Sequence, residues 1–214
     1  MKTKLNIVVC PLNWGLGHAT RCSPIIDALI HRGHQVHLAS DGLALELLKR
    51  HYPLLPIHPL ASLSIKYGTY FWIKMGIQLV SILKWMALDR KKIKELHGIH
   101  HFDLIISDSR VACHIPGLPS VLLISQTAPR VPPFIKRFYL KVLNGYVRLF
   151  DRIWIPDVSH DVDASLSGEL ITLPSNVQSS LIGLLTRINP KPANDTFDCP
   201  MSHIHLNNEN DSYH

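Results

Sequence analysis

A short glycine turn constrains the fold of this chain more than any other feature. It covers residues 13–21, with the sequence Asn-Trp-Gly-Leu-Gly-His-Ala-Thr-Arg, and it follows the apolar run 5–10. The next segment, 25–30, has apolar side chains at helical spacing. A glycine turn between a buried strand and a helix suits the binding of phosphate or another anion, because unpaired N–H groups and the positive dipole end meet at the helix start.

The side chains of the turn define the predicted site. Gly15 and Gly17 have no Cβ, so they can adopt positive φ and let a ligand approach the main chain. The turn is not a dinucleotide fingerprint, because Thr20 stands where the third glycine would be, and it lacks the Gly-Lys-Ser/Thr of a P-loop. It offers His18 and Arg21 instead. We expect Gly15, Gly17, Thr20 and Arg21 to bind substrate or phosphate.

The rest of the chain alternates strand and helix patterns. Gly33 marks the end of the first helix, and Asp41 is placed to cap the second. Short connections between such elements indicate parallel strands. The sequence therefore predicts one α/β domain, a Rossmann-like parallel sheet with helices on both faces. The strands are predicted at 5–10, 35–40, 54–57, 101–108, 118–124 and 152–157, with later helices at 70–96 and 134–150.

Charge and cysteine content limit the partners and the compartment. The formal net charge of +6 favours anionic partners such as nucleotide sugars, lipid phosphates or a membrane surface. No motif supports nucleic acid binding. The four cysteines form no Cys-x-x-Cys pair, and the apolar run after Met1 is short and lacks a cleavage site, so we expect a cytoplasmic protein.

Three segments resemble a known family. The motif Gly-x-Gly-His-x-x-Arg after the first strand, the segment Arg-Gly-His-Gln-Val-His-Leu-Ala-Ser at 32–40, and residues 181–187 are similar to the N-terminal, acceptor-side half of GT-B glycosyltransferases. Within that class the chain most resembles family 28, which contains the bacterial lipid II-forming N-acetylglucosaminyltransferase. The resemblance implies a UDP-sugar donor and an N-terminal GT-B domain over 1–188.

The resemblance also implies roles for individual residues. His18 would act as the general base on an acceptor hydroxyl, with Asp108 orienting its ring, since histidine titrates near neutral pH. Gln126 corresponds to the glutamine of a His-Gln pair that relatives carry. In this chain Ser125 stands in place of the histidine. Structural alternatives stay open: His18 as a polar group at a helix start, Asp108 as a helix cap, and Arg21 as an ion-pair partner.

The long helix at 70–96 has two different sides. Trp72, Met75, Leu79, Ile82, Leu83 and Met86 share one broad apolar face that is expected to pack on the sheet. The other side mixes Ile77, Trp85 and Leu88 with Lys74, Gln78, Ser81 and Lys84. This side either covers another part of the protein or lies at a membrane surface. The resemblance favours peripheral contact with the inner face of the membrane and a lipid-linked acceptor.

The last segment, 189–214, is polar and lacks apolar periodicity, so we expect a disordered tail. Its Cys199, His203 and His205 are only three ligands in a flexible stretch, so we expect no metal site there, and the sequence implies no metal and no cofactor. The chain offers no glycine-rich donor loop, so the C-terminal donor-binding domain is expected to be absent.

Two hypotheses follow: a glycosyltransferase, or an inactive truncated or acceptor-binding half that needs a separate donor-binding subunit. A simple nucleotide-binding or structural α/β domain is a third.

Overall fold

The computed structural model describes residues 4–63, 71–124, 133–157, 177–183 and 185. Its centre is a sheet of seven parallel strands in the order β3-β2-β1-β4-β5-β6-β7. The strands are β1 Asn6–Pro11, β2 Gln35–Ser40, β3 Ile57–Pro59, β4 Leu104–Asp108, β5 Ser120–Leu123, β6 Arg152–Ile155 and β7 Gln178–Leu181. The helices are α1 Leu16–His31, α2 Gly42–His51, α3 Phe71–His100 and α4 Pro133–Val147. The predicted Rossmann-like α/β fold is confirmed.

Alternate residues of β1 face two different helical layers. Ile7 and Val9 pack into the core cluster that contains the apolar sides of α1 and α2. Val8 and Cys10 point the other way, into the cluster that contains the buried side of α3. All four are fully buried. Each buried aliphatic side chain contributes about 1.5–3 kcal/mol relative to exposure, which explains why a central strand is apolar on both faces.

The first helix begins and ends at glycines. Gly15, with φ 79° and ψ 173°, precedes α1, and Gly33, with φ 84°, follows it. At the far end the N–H of His34 donates to Leu29 O at 3.1 Å and that of Gly33 to Ile30 O at 2.9 Å. This pair of bonds is a Schellman motif, so the predicted helix stop at Gly33 is confirmed. Pro24 lies inside the helix, as the early start at the glycine turn requires.

Two local predictions are wrong, one strand was missed and one alternative is excluded. The third strand begins at Ile57 and not at Leu54. Leu54 lies in the turn that precedes the strand and is 94% exposed. Asp41 precedes α2 but makes no side-chain capping bond, because its carboxylate faces Arg110. Strand β7 was not expected, since its sequence Gln-Ser-Ser-Leu carries too little apolar pattern. Asp108 is not a helix cap either, because turns follow β4.

The faces of α3 also differ from the prediction. Trp85 is buried together with Met86, whereas Leu83 is about half exposed. The cause is specific: the indole N–H of Trp85 donates to Ala61 O at 2.7 Å, and a tryptophan with its polar group satisfied packs well in a core. Leu88 lies on the exposed side, as expected. Among the described residues, no helix combines the length and apolarity needed to cross a bilayer.

Candidate functional site

The site lies where the direction of the chain across the sheet reverses. After β1 the chain moves to β2 and β3 on one side, and it then returns to β4 on the other side of β1. Loops leaving two such neighbouring strands diverge and open a crevice beyond their carboxyl ends, where open α/β sheets bind ligands. Pro11 and Asp108 are the last register pair of β1 and β4, and the N–H of Leu12 donates to Asp108 O at 3.0 Å. The glycine turn therefore starts beside Asp108.

Three predicted site residues meet at this edge. His18 and Arg21 lie one turn apart on α1, and both contact the carboxylate of Asp108. The Nδ1 of His18 is 3.1 Å from Asp108 Oδ1, and the Nε of Arg21 donates to Asp108 Oδ2 at 2.7 Å. The Nη2 of Arg21 also donates to Oδ1, which completes a bidentate pair. Asp108 is fully buried, while the side chains of His18 and Arg21 retain 18% and 15% exposure.

Counting hydrogen atoms assigns the tautomer of His18. Arg21 Nη2 carries two hydrogens and has three possible acceptors: Asp108 Oδ1, Ser109 Oγ at 3.1 Å and His18 Nδ1 at 3.0 Å. The carboxylate and the hydroxyl satisfy both hydrogens. We therefore assign the proton of the imidazole to Nδ1, which donates to Asp108 Oδ1. The lone pair is then on Nε2, the nitrogen on the side away from Asp108.

The charge of Asp108 is stabilised despite its burial. Burial acts to raise the pKa of Asp108, but hydrogen bonds from Arg21 and His18 and the charge of Arg21 outweigh it, so the pKa lies below its usual value. The Sγ of Cys22 lies 3.6 Å from Asp108 Oδ2, and burial followed by the charge of Asp108 raises the pKa of this thiol. Cys22 is therefore a neutral donor, and Asp108 remains the only anion of this group.

The glycine turn has one position that requires glycine. The φ and ψ of Gly15 fall in a region that only glycine occupies readily. Gly17 lies in the first turn of α1 and does not have positive φ, so its predicted conformation is wrong. Thr20 Oγ1 donates to Gly17 O at 3.0 Å. Because α1 has no side-chain cap and no acidic residue in its first turn, its exposed start keeps N–H groups for an anion.

Of the two alternatives for Arg21, the structure shows the ion pair. The guanidinium binds Asp108 and Ser109, so Arg21 positions the carboxylate that orients His18. Gln126, the remaining predicted site residue, lies outside the described residues.

A buried arginine supports the neighbouring loops. Arg110 follows β4 and is fully buried. Its Nε donates to Asp89 Oδ2 at 2.6 Å, its Nη1 to Asp41 Oδ1 at 2.6 Å and its Nη2 to Ala61 O at 2.6 Å. The ring of Trp85 lies 5.1 Å from the guanidinium carbon. One cation thus joins α3 to the loops that follow β2, β3 and β4.

This network reaches the glycine turn through Asn13. Its Nδ2 donates to Asp41 Oδ2 at 3.3 Å, and its Oδ1 accepts from the N–H of Ala44 at 3.2 Å. Gly42, with φ 49°, lies against it: a Cβ there would be 2.2 Å from Asn13 Nδ2. Sequence reasoning missed Asn13, Ser109 and Arg110. The available signal was the polar Asp-Ser-Arg sequence directly after an apolar strand.

Comparisons with known proteins show the fold. No protein-family model and no curated protein matches the chain. A solved glycosyltransferase of kitacinnamycin is 14% identical with a TM-score of 0.58, covering 92% of this chain and 56% of that one. UGT73P12 of Glycyrrhiza uralensis is 12% identical with a TM-score of 0.52, covering 86% and 49%. Acinetobacter baumannii MurG is 12% identical with a TM-score of 0.50, covering 89% and 47%.

The chain has the fold of one half of a GT-B glycosyltransferase. It spans about half the length of the solved structures that it matches.

Proposed function

We propose that this chain is the N-terminal, acceptor-side half of a glycosyltransferase that uses a nucleotide-sugar donor, with a UDP-sugar as the expected donor. The observation that carries the proposal is the contact of His18 Nδ1 with the buried carboxylate of Asp108. A carboxylate behind Nδ1 holds the tautomer whose Nε2 accepts a proton, and it stabilises the imidazolium that forms. The fold adds only that the solved structures of similar fold are glycosyltransferases.

In the proposed reaction an acceptor hydroxyl attacks the anomeric carbon of the sugar. The new C–O bond forms as the bond from that carbon to the diphosphate breaks, and the nucleoside diphosphate leaves with the electron pair. The hydroxyl proton passes to Nε2 of His18. Asp108 remains ionised throughout, because Arg21 and Ser109 hold its two oxygens. This half would contribute the base that removes the hydroxyl proton as the new C–O bond forms.

The start of α1 is the proposed contact for the diphosphate. Its N–H groups and positive dipole end face the crevice next to His18, so a charge developing on the leaving group would be stabilised there. Gly15 and Gly17 are the predicted main-chain contacts, and Thr20 lies one turn further. Arg21 is proposed as a positioning residue and not as a direct phosphate ligand, since its hydrogen bonds are to Asp108 and Ser109.

Two exposed surfaces favour an acceptor with an apolar part. Trp14 and Leu16, on either side of Gly15 in the glycine turn, are 55% and 48% exposed. On α3, the exposed side carries Val80, Leu83 and Leu88 among lysines at 84 and 91. Apolar side chains rimmed by lysines suit the headgroup region of a membrane. We propose a lipid-linked acceptor at the inner face of the membrane.

A second candidate function is that of a non-catalytic or acceptor-binding half. The chain spans about half of the structures that it matches, so the donor is proposed to bind a second domain, on the same protein or on a separate chain. The candidate differs from the first in that this half would bind the acceptor without supplying the base.

Titration and turnover together test the proposal. The purified chain is titrated calorimetrically with UDP-N-acetylglucosamine, UDP-glucose and UDP-galactose, alone and with the donor-binding half of a GT-B enzyme. UDP release is then measured with a lipid extract as the acceptor. We expect binding and UDP release only when both halves are present. Binding by the chain alone would contradict the acceptor-side assignment, and UDP release no faster than with the donor half alone would contradict the function.

A further inference from the structure

Three histidines form a cluster away from the glycine turn. His37 lies on β2, His58 on β3 and His100 at the end of α3, just before β4 begins. Asp108 lies at the opposite end of β4, so the cluster and the candidate active site are at different ends of the sheet. One ring nitrogen from each histidine can be chosen so that all three nitrogens lie within 4.8 Å of one another. His37 is buried, and the other two are half-buried.

The rings of the cluster are already in contact. The Nδ1 of His37 is 3.0 Å from the Nε2 of His58. The ring centroid of His100 lies 4.6 Å from that of His37 and 4.9 Å from that of His58. Phe102 closes the inner side, 5.2 Å from the ring of His37. Three imidazoles held on three different elements, with an apolar floor and a half-open side, are a preformed set of nitrogen ligands.

Two of these rings are held in the neutral form. Burial, followed by the charges of His100 and His58, lowers the pKa of His37 to about 4. Burial, His100 and Lys92 lower the pKa of His58. Neutral imidazole is the form that binds metal ions.

We propose that His37, His58 and His100 bind a divalent transition-metal ion, with Zn²⁺ as the best match, and that water completes the coordination. Zinc bound by nitrogen at about 2.0–2.1 Å in a tetrahedron separates neighbouring nitrogens by about 3.3 Å. The His37–His58 pair, at 3.0 Å, has nearly that spacing. The remaining nitrogen pairs are at most 4.8 Å apart, so metal binding would require rotation of a side chain.

Metal binding at this site would stabilise the edge of the sheet. β3 is a three-residue edge strand that pairs with β2 alone in the described sheet. A metal held by His37, His58 and His100 would link this strand to β2 and to the end of α3. A ligand that binds only the folded state stabilises it in proportion to its affinity. The metal would therefore raise the melting temperature.

Lys92 provides an independent check. It lies close enough to lower the pKa of His58, and its Nζ is 3.8 Å from Glu95 Oε2. A nearby ammonium opposes a bound cation. Lys92→Gln removes this charge without removing a ligand. We expect it to strengthen metal binding, whereas a substitution that acted only by loosening the fold would weaken it.

The test uses the full chain without an affinity tag, carrying Cys199→Ser, His203→Ala and His205→Ala so that these residues cannot bind the metal. After treatment with EDTA, Co²⁺ is titrated while the visible absorption of tetrahedral cobalt is recorded, and Zn²⁺ is titrated calorimetrically. We expect one equivalent of metal to bind with a Kd in the micromolar range or below. Zn²⁺ should raise Tm by about 5 °C.

Substitutions then assign the ligands. His58→Gln and His100→Gln should each weaken Co²⁺ binding at least about 100-fold and abolish the Tm increase. His51→Ala, on the exposed end of α2, is the matched control and should change neither. Circular dichroism of the metal-free proteins checks that each variant is folded. Unchanged metal binding in both glutamine variants, or no stoichiometric binding by the parent protein, would overturn the proposal.

Discussion

Pro11 and Asp108 lie opposite each other at the last paired position of β1 and β4. This register places the glycine turn, which leaves β1, directly beside the carboxylate that ends β4. His18 reaches Asp108 across a sequence separation of 90 residues because of it. A shift of one residue in this pairing would turn Asp108 to the other face of the sheet, away from α1.

We predict that His18→Ala lowers the rate of glycosyl transfer about 10²–10⁴-fold, because it removes the proposed base. The Tm should change by no more than a few degrees, since the ring is polar, only partly buried and not part of the hydrophobic core. His31→Ala, in the exposed last turn of the same helix, is the control and should retain full activity. UDP release by the two-half assembly measures the effect. Equal rates for both variants would exclude His18 as the base.

We predict that His18 carries its proton on Nδ1 at neutral pH. The two hydrogens of Arg21 Nη2 are satisfied by Asp108 and Ser109, which leaves Nδ1 as a donor. Long-range ¹H–¹⁵N spectra of the histidine rings distinguish the two tautomers, and His18→Gln identifies the signal. A neutral ring with its proton on Nε2 would mean that Nδ1 accepts from Arg21, and His18 would then be unsuited to act as a base.

We predict that the stabilising effect of Asp108 disappears in acid. Its pKa in the folded protein lies below the value of about 3.9 for an unfolded chain. The contribution is therefore complete above pH 4 and is lost as the pH falls through the lower, folded pKa. Asp108→Asn should reduce the free energy of unfolding by about 3 kcal/mol at pH 7, because it breaks a buried pair.

Urea unfolding of wild type and Asp108→Asn at pH 7, 4 and 3 measures this effect. The difference between the two proteins, rather than the stability of either, isolates Asp108 from other acidic groups. It should be largest at pH 7 and shrink below pH 4. A difference that stays constant down to pH 3 would contradict the lowered pKa.

We predict opposite effects for two glycine-to-alanine substitutions. Gly42→Ala is destabilising, because φ is 49° and the new Cβ would be 2.2 Å from Asn13 Nδ2. Asn13 would have to leave Asp41 and Ala44. Gly98→Ala, in the exposed part of α3 with no atom within 4 Å of the new Cβ, should stabilise the protein by about 0.5–1 kcal/mol. Thermal unfolding compares them, and equal Tm changes would contradict the predicted clash.

The sequence predicts features that rest on local patterns. The strand–glycine turn–helix order places His18, and the rule that ligands bind at the carboxyl ends of parallel strands places Asp108 beside it. The helix stop at Gly33 is recognisable because it depends on a single residue that can adopt positive φ.

The features that sequence reasoning missed depend on distant partners. Trp85 is buried because Ala61 O accepts its indole hydrogen. The carboxylate of Asp41 binds Arg110 instead of capping α2. Neither partner is visible in a periodicity pattern. The histidine cluster joins residues 37, 58 and 100, whose spacing matches no metal motif. Strand β7 exists because β6 offers an open edge, and four weakly apolar residues give no independent signal.

The Arg110 network has a consequence for the order of folding. Its hydrogen bonds join Arg110 to residues 21, 49 and 69 positions away along the chain. Closing loops of this length costs entropy before any contact compensates, so such contacts form late. We expect substitutions in this network to accelerate unfolding far more than they slow refolding. The lifetime of the folded crevice, rather than the speed of its assembly, would then depend on one buried cation.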